Sequence, residues 1–319
     1  MKILITGISG FIGFHLANFL IKQGKDIEVI GIDNLNNYYD INLKLARLEI
    51  LKKNKIKIHK VDIKNFKKIE KIFVNNKFDK IVHLAAQAGV RLSFTDPQNY
   101  FDNNILGFFN ILELSKKYNI KNLIYSSSSS VYGDQKKFPL TEETKDLNTV
   151  SFYGFTKKNN EDLAEFYSRN HKLSIIGLRF FTVYGSYGRP DMSPFIFTKN
   201  ILEGQPITLN NNGKHMRDFT YIDDVVNIIY SLLKKDIRTK HSIYNVCSSN
   251  PIKIKEFLNI IEDCLGKKAK IKLREKQKGD VIKTYGSNLK INKFINKDNY
   301  VDIKTGMRVF TDWFKNNYY

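Results

Sequence analysis

The stretch KILITGISGFIG, residues 2–13, decides the fold. Its first five residues, Lys2 to Thr6, carry the apolar and β-branched side chains of a buried strand, and Gly7, Gly10 and Gly13 follow at three-residue intervals. Glycine lacks the Cβ that would keep a pyrophosphate away from the backbone. A helix opening at Phe11 and Ile12 would also aim free N–H groups and the positive end of its dipole at that anion. A glycine pattern alone is weak. Here a second strand-like run, VIGID, ends in Asp33, twenty residues past Gly13, where a carboxylate can accept hydrogen bonds from an adenosine ribose. That carboxylate repels a 2′-phosphate and no arginine follows it closely, so NAD is expected rather than NADP. The competing reading is a tight turn beside a satisfied surface aspartate.

Working outward, IEVIGID, IKIHKVD, KIVHLAA, NLIYSSS and LSIIGLRFF read as further strands, with helix-length segments Gly13 to Gln23, Lys64 to Asn76, Tyr100 to Lys117 and Tyr153 to Asn170 between them. This alternation predicts an α/β fold: a Rossmann-type doubly wound parallel sheet, built by right-handed crossovers and binding ligands beyond the carboxyl ends of its strands. After about residue 180 turn signals multiply (YGSYGRPDMSP, LEGQP, NNNGK), then a helical period from Tyr221 to Lys235, a strand-like SIYNVCS and a helix over Ile254 to Leu265 follow. The expected domains are an NAD-binding domain over 1–180, with 217–245 packing back on it, and a smaller mixed α/β substrate domain over 181–319.

The chain has 319 residues, 42% hydrophobic and 13% aromatic, enough for a large core; disorder is excluded. A net charge of +20 raises nucleic acid, membrane surface or anionic substrate as partners. The lysines are scattered through segments that also carry helix and strand periods, with no arginine-rich block, so solvated faces are the expectation and neither nucleic acid nor membrane is expected as a partner. Cys247 and Cys264 cannot build a disulfide framework, none of the six histidines shows metal-ligand spacing, and no metal is expected. Three glycines and His15 break the apolar run at the start, and no stretch of about 18 apolar residues occurs, so a soluble cytoplasmic protein is expected.

The run YSSSSSVYG, residues 125–133, starts inside a strand and reads as a strand end presenting hydroxyls, not a linker. A tyrosine four residues before a lysine occurs at Tyr132, Tyr153, Tyr230 and Tyr300, so the spacing itself is uninformative. Only Tyr153 and Lys157 open a long helix after the fifth strand, where i and i+4 share a face. A nearby ammonium and a nicotinamide cation would lower the phenol from its usual pKa of about 10 toward neutrality. Tyr153 could then exchange a proton with a sugar hydroxyl while hydride passes to the nicotinamide.

In order over about residues 1–230, the glycine turn, Asp33, Asp62 and Ile63, HLAAQAGV, NNILG, SSSSSVYG, Tyr153/Lys157, LRFFTVYG, GRPDM and RDFTYIDD resemble the extended short-chain dehydrogenase/reductase superfamily. Within it the set is most similar to the nucleotide-sugar 4-epimerases, above all those acting on UDP-glucuronate. The resemblance implies that Ser128 donates a hydroxyl beside the tyrosine and that Ser127 contacts substrate, with Ser126 and Ser130 left to packing or solvent. It implies that Asp62 and Ile63 meet the adenine, that Ala85, Ala86 and Gln87 line the cofactor path, that Asn104 supports it, and that Tyr153 and Lys157 both meet the cofactor, Lys157 bonding the nicotinamide ribose. It also implies a homodimer through Tyr100 to Lys117 and Tyr153 to Asn170.

Related dehydratases and decarboxylases carry an acidic residue in TDEVYG or TSEVYG, where this chain has Ser129. Simple oxidation and return of hydride through a 4-keto sugar therefore remains. Thr182 and Arg189 resemble the uronate-specific group and are implied to hold the C5 carboxylate, which a guanidinium fork suits. Ser186 departs from the usual proline of that group. Arg217 is the expected diphosphate clamp, and Arg91 is expected to face the substrate anion; the alternative for each is a structural arginine. Asp223 and Asp224 read as helix-start carboxylates, not metal ligands. Two other functions stay open: a 4-epimerase of UDP-glucose or a UDP-N-acetylhexosamine, and a non-catalytic nucleotide sensor on the same fold, which the intact Tyr/Lys pair disfavours.

Overall fold

The computed structural model describes residues 1–24, 26–237, 240–277 and 280–318. Its strands are β1 (Lys2–Thr6), β2 (Glu28–Asp33), β3 (Lys57–Lys60), β4 (Lys80–His83), β5 (Asn122–Ser128), β6 (Ser174–Phe180), β7 (Thr182–Tyr184), β8 (Pro206–Asn210), β9 (Met216–Tyr221), β10 (His241–Val246), β11 (Pro251–Lys253) and β12 (Lys270–Arg274). The helices are α1 (Phe11–Leu20), α2 (Ile41–Lys53), α3 (Phe66–Val74), α4 (Pro97–Tyr100), α5 (Gly107–Lys117), α6 (Phe152–Asn170), α7 (Ser193–Leu202), α8 (Ile222–Lys234), α9 (Ile254–Leu265), α10 (Leu289–Ile295) and α11 (Ile303–Asn317), with a π-helical turn over Phe101–Leu106.

The main sheet runs β10-β6-β5-β4-β1-β2-β3, and every pairing from β6 across to β3 is parallel. Its central strands are buried along nearly their whole length, which is why they read as continuous apolar runs. Strand order reverses between β1 and β4, and this is the switch point where such sheets open a crevice. Gly7 follows β1 at φ +71°, and a Cβ there would lie 2.7 Å from the backbone nitrogen of Ala85, which follows β4. Both the left-handed backbone and the close approach demand glycine.

The chain divides into two compact units: 1–133, 145–180 and 226–244 form the first, and 134–144, 181–225 and 245–319 the second. Two boundaries depart from expectation. The expected return segment 217–245 is split, because Met216–Tyr221 pairs with β7 and β11 in the second unit's own sheet and only 226–244 belongs to the first. Residues 134–144 also join the second unit, held there by the Leu140 N–H to the Tyr285 carbonyl and the Asn245 amide to the Leu140 carbonyl. That second unit combines the sheet β11-β9-β7, the parallel pair β12-β8, and an aromatic core in which Phe195 meets Phe310, Phe314 and Tyr318.

Helix α2 has no counterpart in the sequence reading. Its buried face is Leu43, Lys44, Arg47 and Leu51, so two cations replace apolar residues in the stripe and erase the period that would announce it. Asp224 lies in the first turn of α8 as expected, and its carboxylate also takes Lys297 Nζ at 2.8 Å and the Val301 N–H at 2.9 Å.

Candidate active site

In the first unit the glycine turn is closed by short hydrogen bonds. The Gly7 N–H reaches the Ile32 carbonyl and the Gly10 N–H the Gly7 carbonyl, and Gly10 ends in extended backbone where α1 begins at Phe11 and Ile12. A Cβ on Gly13 would sit 2.3 Å from the Gly7 carbonyl oxygen, so α1 packs against β1 only because that atom is missing. Asp33 is buried with one oxygen on the Ser9 N–H at 2.9 Å and the other on the Leu35 N–H at 2.8 Å. An arginine does stand here, from α2 and not from the segment after Asp33. Fully buried Arg47 donates to the Ser9 carbonyl at 3.0 Å and to the Tyr39 hydroxyl at 2.7 Å.

Asp62 accepts from the Asn34 side chain at 3.1 Å and the Lys64 N–H at 2.9 Å. The Ile63 side chain is buried against Gly107, which leaves its backbone as the part available to a base. Beyond β4, the Ala85 N–H donates to Thr6 Oγ1, which also meets His83 Nδ1 at 2.8 Å, and Ala86 follows half-buried. Asn104, in the π-helical turn, clamps Gln87 from both sides: its Oδ1 accepts the Gln87 N–H at 2.7 Å and its Nδ2 donates to the Gln87 carbonyl at 3.0 Å. The same Nδ2 reaches Thr156 Oγ1 at 3.0 Å on α6. The Tyr100 hydroxyl is shared between the Ala88 and Gly89 carbonyls, and its ring meets the Tyr153 ring edge-on with centroids 6.1 Å apart. Arg91 is exposed at the start of a short 3-10 turn.

Ser151 caps α6 through the Gly154 N–H, placing Tyr153 and Lys157 in its first two turns. The Lys157 ammonium lies 6.0 Å from the Tyr153 ring centroid and donates to the Ser126 carbonyl at 2.8 Å and the Ser126 hydroxyl at 3.2 Å. Burial pushes that ammonium down to about 7. Burial and then the Lys157 charge push His83 down to about 3, so this ring is neutral at ordinary pH.

The serine run divides by parity, as strand side chains must. Ser126 and Ser128 share one face, and Ser127 takes the other. Ser128 Oγ accepts the Ser130 N–H at 3.1 Å, a bond that leaves the hydroxyl proton to donate. Ser127, expected to contact substrate, is buried and gives its proton to Glu161 Oε1 at 2.6 Å. Ser126, read as packing, is the acceptor that seats Lys157. The alternation of β5 was the available signal for both.

Glu161 and Arg179 were also missed, although Tyr153, Lys157 and Glu161 continue one i, i+4, i+8 face of α6. Arg179 Nε and Nη2 each donate to a Glu161 oxygen at 2.8 Å, and the guanidinium lies 4.7 Å from the Tyr132 ring centroid.

In the second unit, Thr182 is half-buried and pairs with Phe219 across β7 and β9. Arg189 is engaged: its Nε donates to Asp191 Oδ1 at 3.0 Å and its Nη2 to Asp191 Oδ2 at 2.5 Å. Arg217 Nη1 donates to the carbonyls of Met216 and Ile282 at 2.8 and 3.2 Å. Among the described residues no His/Cys/Asp/Glu cluster could hold a metal ion, and no helix is long and apolar enough to cross a membrane.

A doubly wound sheet with a Cβ-free turn and a buried aspartate at its switch point, and a tyrosine–lysine pair on the helix beside β5, defines a dinucleotide-dependent enzyme of the short-chain dehydrogenase/reductase type. The chain belongs to the NAD dependent epimerase/dehydratase family, whose sequence profile matches residues 3–247. A UDP-glucuronate 4-epimerase of Thermodesulfobacterium geofontis is 41% identical over 98% of this chain and 96% of its own. A crystal structure of UDP-glucuronic acid 4-epimerase from Bacillus cereus, with UDP-glucuronic acid and NAD, superposes at a TM-score of 0.94, 32% identical over the whole of both chains. The UDP-glucose 4-epimerase of Thermotoga maritima, with UDP-glucose, superposes at 0.89 with 29% identity over 99% of each chain.

The residues present fit NAD. The Cβ-free turn at Gly7 lets β1 and the end of β4 close together, the helix end at Gly10 could present backbone N–H groups to a pyrophosphate, and the Asp33 carboxylate could accept from a ribose.

Proposed function

We propose that this enzyme interconverts UDP-glucuronate and UDP-galacturonate by inverting C4 of the sugar. NAD, when bound, supplies the acceptor for the C4 hydride and the donor that returns it. The chain's own residues do the rest. Tyr153 takes the proton from the C4 hydroxyl and later gives it back. Lys157, held by Ser126, keeps a cation near that phenol and contributes a donor for the nicotinamide ribose. Ser128 donates its hydroxyl proton to the same sugar oxygen.

The observation that carries this reading is the seating of Lys157 beneath Tyr153 at a strand end that offers a serine donor and has Ser129 where elimination or decarboxylation would call on a carboxylate. Gly7, Gly10, Phe11, Ile12, Gly13 and Asp33 are assigned to the adenosine and pyrophosphate end. Asp62, Ile63, Ala85, Ala86, Gln87 and Asn104 line the remainder. Thr182 and Arg189 are assigned to the uronate carboxylate, and Arg217 and Arg91 to the diphosphate.

A second reading, 4-epimerisation of UDP-glucose or a UDP-N-acetylhexosamine, is favoured by one observation: the Arg189 fork already holds Asp191. A chromatographic assay of the purified protein with UDP-glucuronate, UDP-glucose and UDP-N-acetylglucosamine, without added reductant, separates the two. Conversion of the uronate is expected; conversion of the neutral sugars alone would establish the second reading.

We also assign a homodimer and a cytoplasmic location. Phe109 on α5 and Phe155 and Phe166 on α6 are 40%, 47% and 59% exposed, an apolar face that a second copy would cover. Free thiols at Cys247 and Cys264 suit a reducing compartment, and the activated galacturonate suits polysaccharide assembly.

A further inference from the structure

The turn that carries Arg189 is tightly built. Gly185 takes φ +147° where a Cβ would lie 2.4 Å from Ile222, Tyr187 takes φ +55° with its ring 4.8 Å from that of Trp313, and a Cβ on Gly188 would lie 2.8 Å from the Gly185 carbonyl oxygen. The Met192 N–H then closes on the Arg189 carbonyl at 3.3 Å, so Arg189-Pro190-Asp191-Met192 forms a turn with proline at its second position. This geometry sets the first and third side chains of the turn against each other. Both oxygens of Asp191 are used on two nitrogens of Arg189, the same fork-to-carboxylate arrangement that a ligand carboxylate would make. The two side chains remain 24% and 32% exposed, so solvent screens the pair and its hold is weak enough to be exchanged.

We infer that Asp191 is an internal stand-in for the substrate carboxylate, so that a uronate binds by exchanging one carboxylate for another on Arg189. This inference rests on the assignment of Arg189 to the uronate and deepens it. Asp191 keeps the guanidinium paired and aimed while no sugar is bound, and it takes the fork back as product leaves. A neutral hydroxymethyl group cannot make the exchange and leaves the internal pair in place. Under this exchange the engagement of Arg189 is the resting half of uronate recognition. Asp191 also opposes uronate affinity, because every binding event must first break the internal pair.

The test is calorimetric titration of the NAD-loaded protein with UDP-glucuronate, UDP-glucose and UDP, in the wild type, Asp191→Asn and Asp191→Ala, with Arg189→Met and the Arg189→Met/Asp191→Asn double variant closing a cycle. The expected result is a Kd for UDP-glucuronate about three- to tenfold lower in both Asp191 variants, with UDP and UDP-glucose unchanged within about twofold, as for loss of a screened competing pair. In the Arg189→Met background the Asp191 substitution should add nothing. Weaker binding of UDP-glucuronate in the Asp191 variants, or an equal change for UDP, would overturn the exchange and make Asp191 a fixed partner of Arg189 or a part of the loop. If the wild type converts only neutral sugars, the uronate reading itself falls and takes the exchange with it; uronate turnover without the Asp191 gain sinks the exchange alone.

Discussion

Glu161 and Arg179 meet as a two-pronged pair, both contacts at 2.8 Å and each side chain 3% exposed, and so join α6 to the end of β6. The same carboxylate holds Ser127 from the end of β5. Tyr153, two helical turns before Glu161, is thereby fixed relative to Ser128. A buried pair is costly to break from one side. Arg179→Met should lower the unfolding free energy by about 3–5 kcal/mol, and Arg179→Met with Glu161→Leu should recover part of that loss. Urea unfolding of the three proteins checks this; additive losses would show that the pair is not the unit.

Ser127 and Ser128 should separate in kinetics. Ser127→Ala removes a hydrogen bond to Glu161 and is expected to cost about 1–3 kcal/mol of stability while leaving KM within about twofold. Ser128→Ala should lower kcat by about 10²-fold with stability nearly unchanged. A KM change confined to Ser127→Ala would restore its assignment as a sugar contact.

Tyr153→Phe should lower kcat by about 10²–10⁴-fold while NAD still co-purifies. Gly7 and Asp33, assigned above to the adenosine and pyrophosphate end, stand at the ends of β1 and β2, on other elements than Tyr153. Loss of bound NAD together with activity would show instead that the substitution disturbs cofactor binding.

His83 predicts acid lability in the NAD-free protein. Its folded pKa, about 3, lies below the ordinary histidine value of 6.5, so below pH 6.5 the unfolded chain binds the extra proton and stability falls as pH drops toward 3. The neutral ring's contribution is complete above pH 6.5. His83→Asn, which keeps a partner for Thr6, should flatten the slope of stability between pH 6.5 and 4. An unchanged slope would move the lability elsewhere.

Phe166→Asp, alone or with Phe155→Asp, should give a monomer by light scattering at micromolar concentration, with the far-UV spectrum retained, because both phenylalanines already lie open on α6. A wild-type monomer would remove the proposed interface.

What could be read before the structure follows from constraints that act within a few residues. Gly7, Gly10 and Gly13 are dictated by backbone approach, Asp33 by the end of β2, and Tyr153 with Lys157 by one turn of helix. What could not be read depends on partners far along the chain. Arg47 sits 38 residues from the carbonyl it bonds, and by standing in the buried face of α2 it also hides that helix. Residues 134–144 contain none of the named strands or helices, so it is bonds such as those to Asn245 and Tyr285 that reveal which unit they join. Asp191 beside Arg189 was visible as a motif, but the turn that converts the spacing into a fork was not.

The six alternating segments of the two units mean that the backbone passes from one to the other five times. Neither unit is a contiguous gene fragment, so no single truncation isolates one and no single recombination point exchanges one whole. Substitutions in place, such as those at the positions assigned above to the sugar, Thr182 and Arg189, need no such exchange, each arising while the rest of the interleaved chain continues to fold.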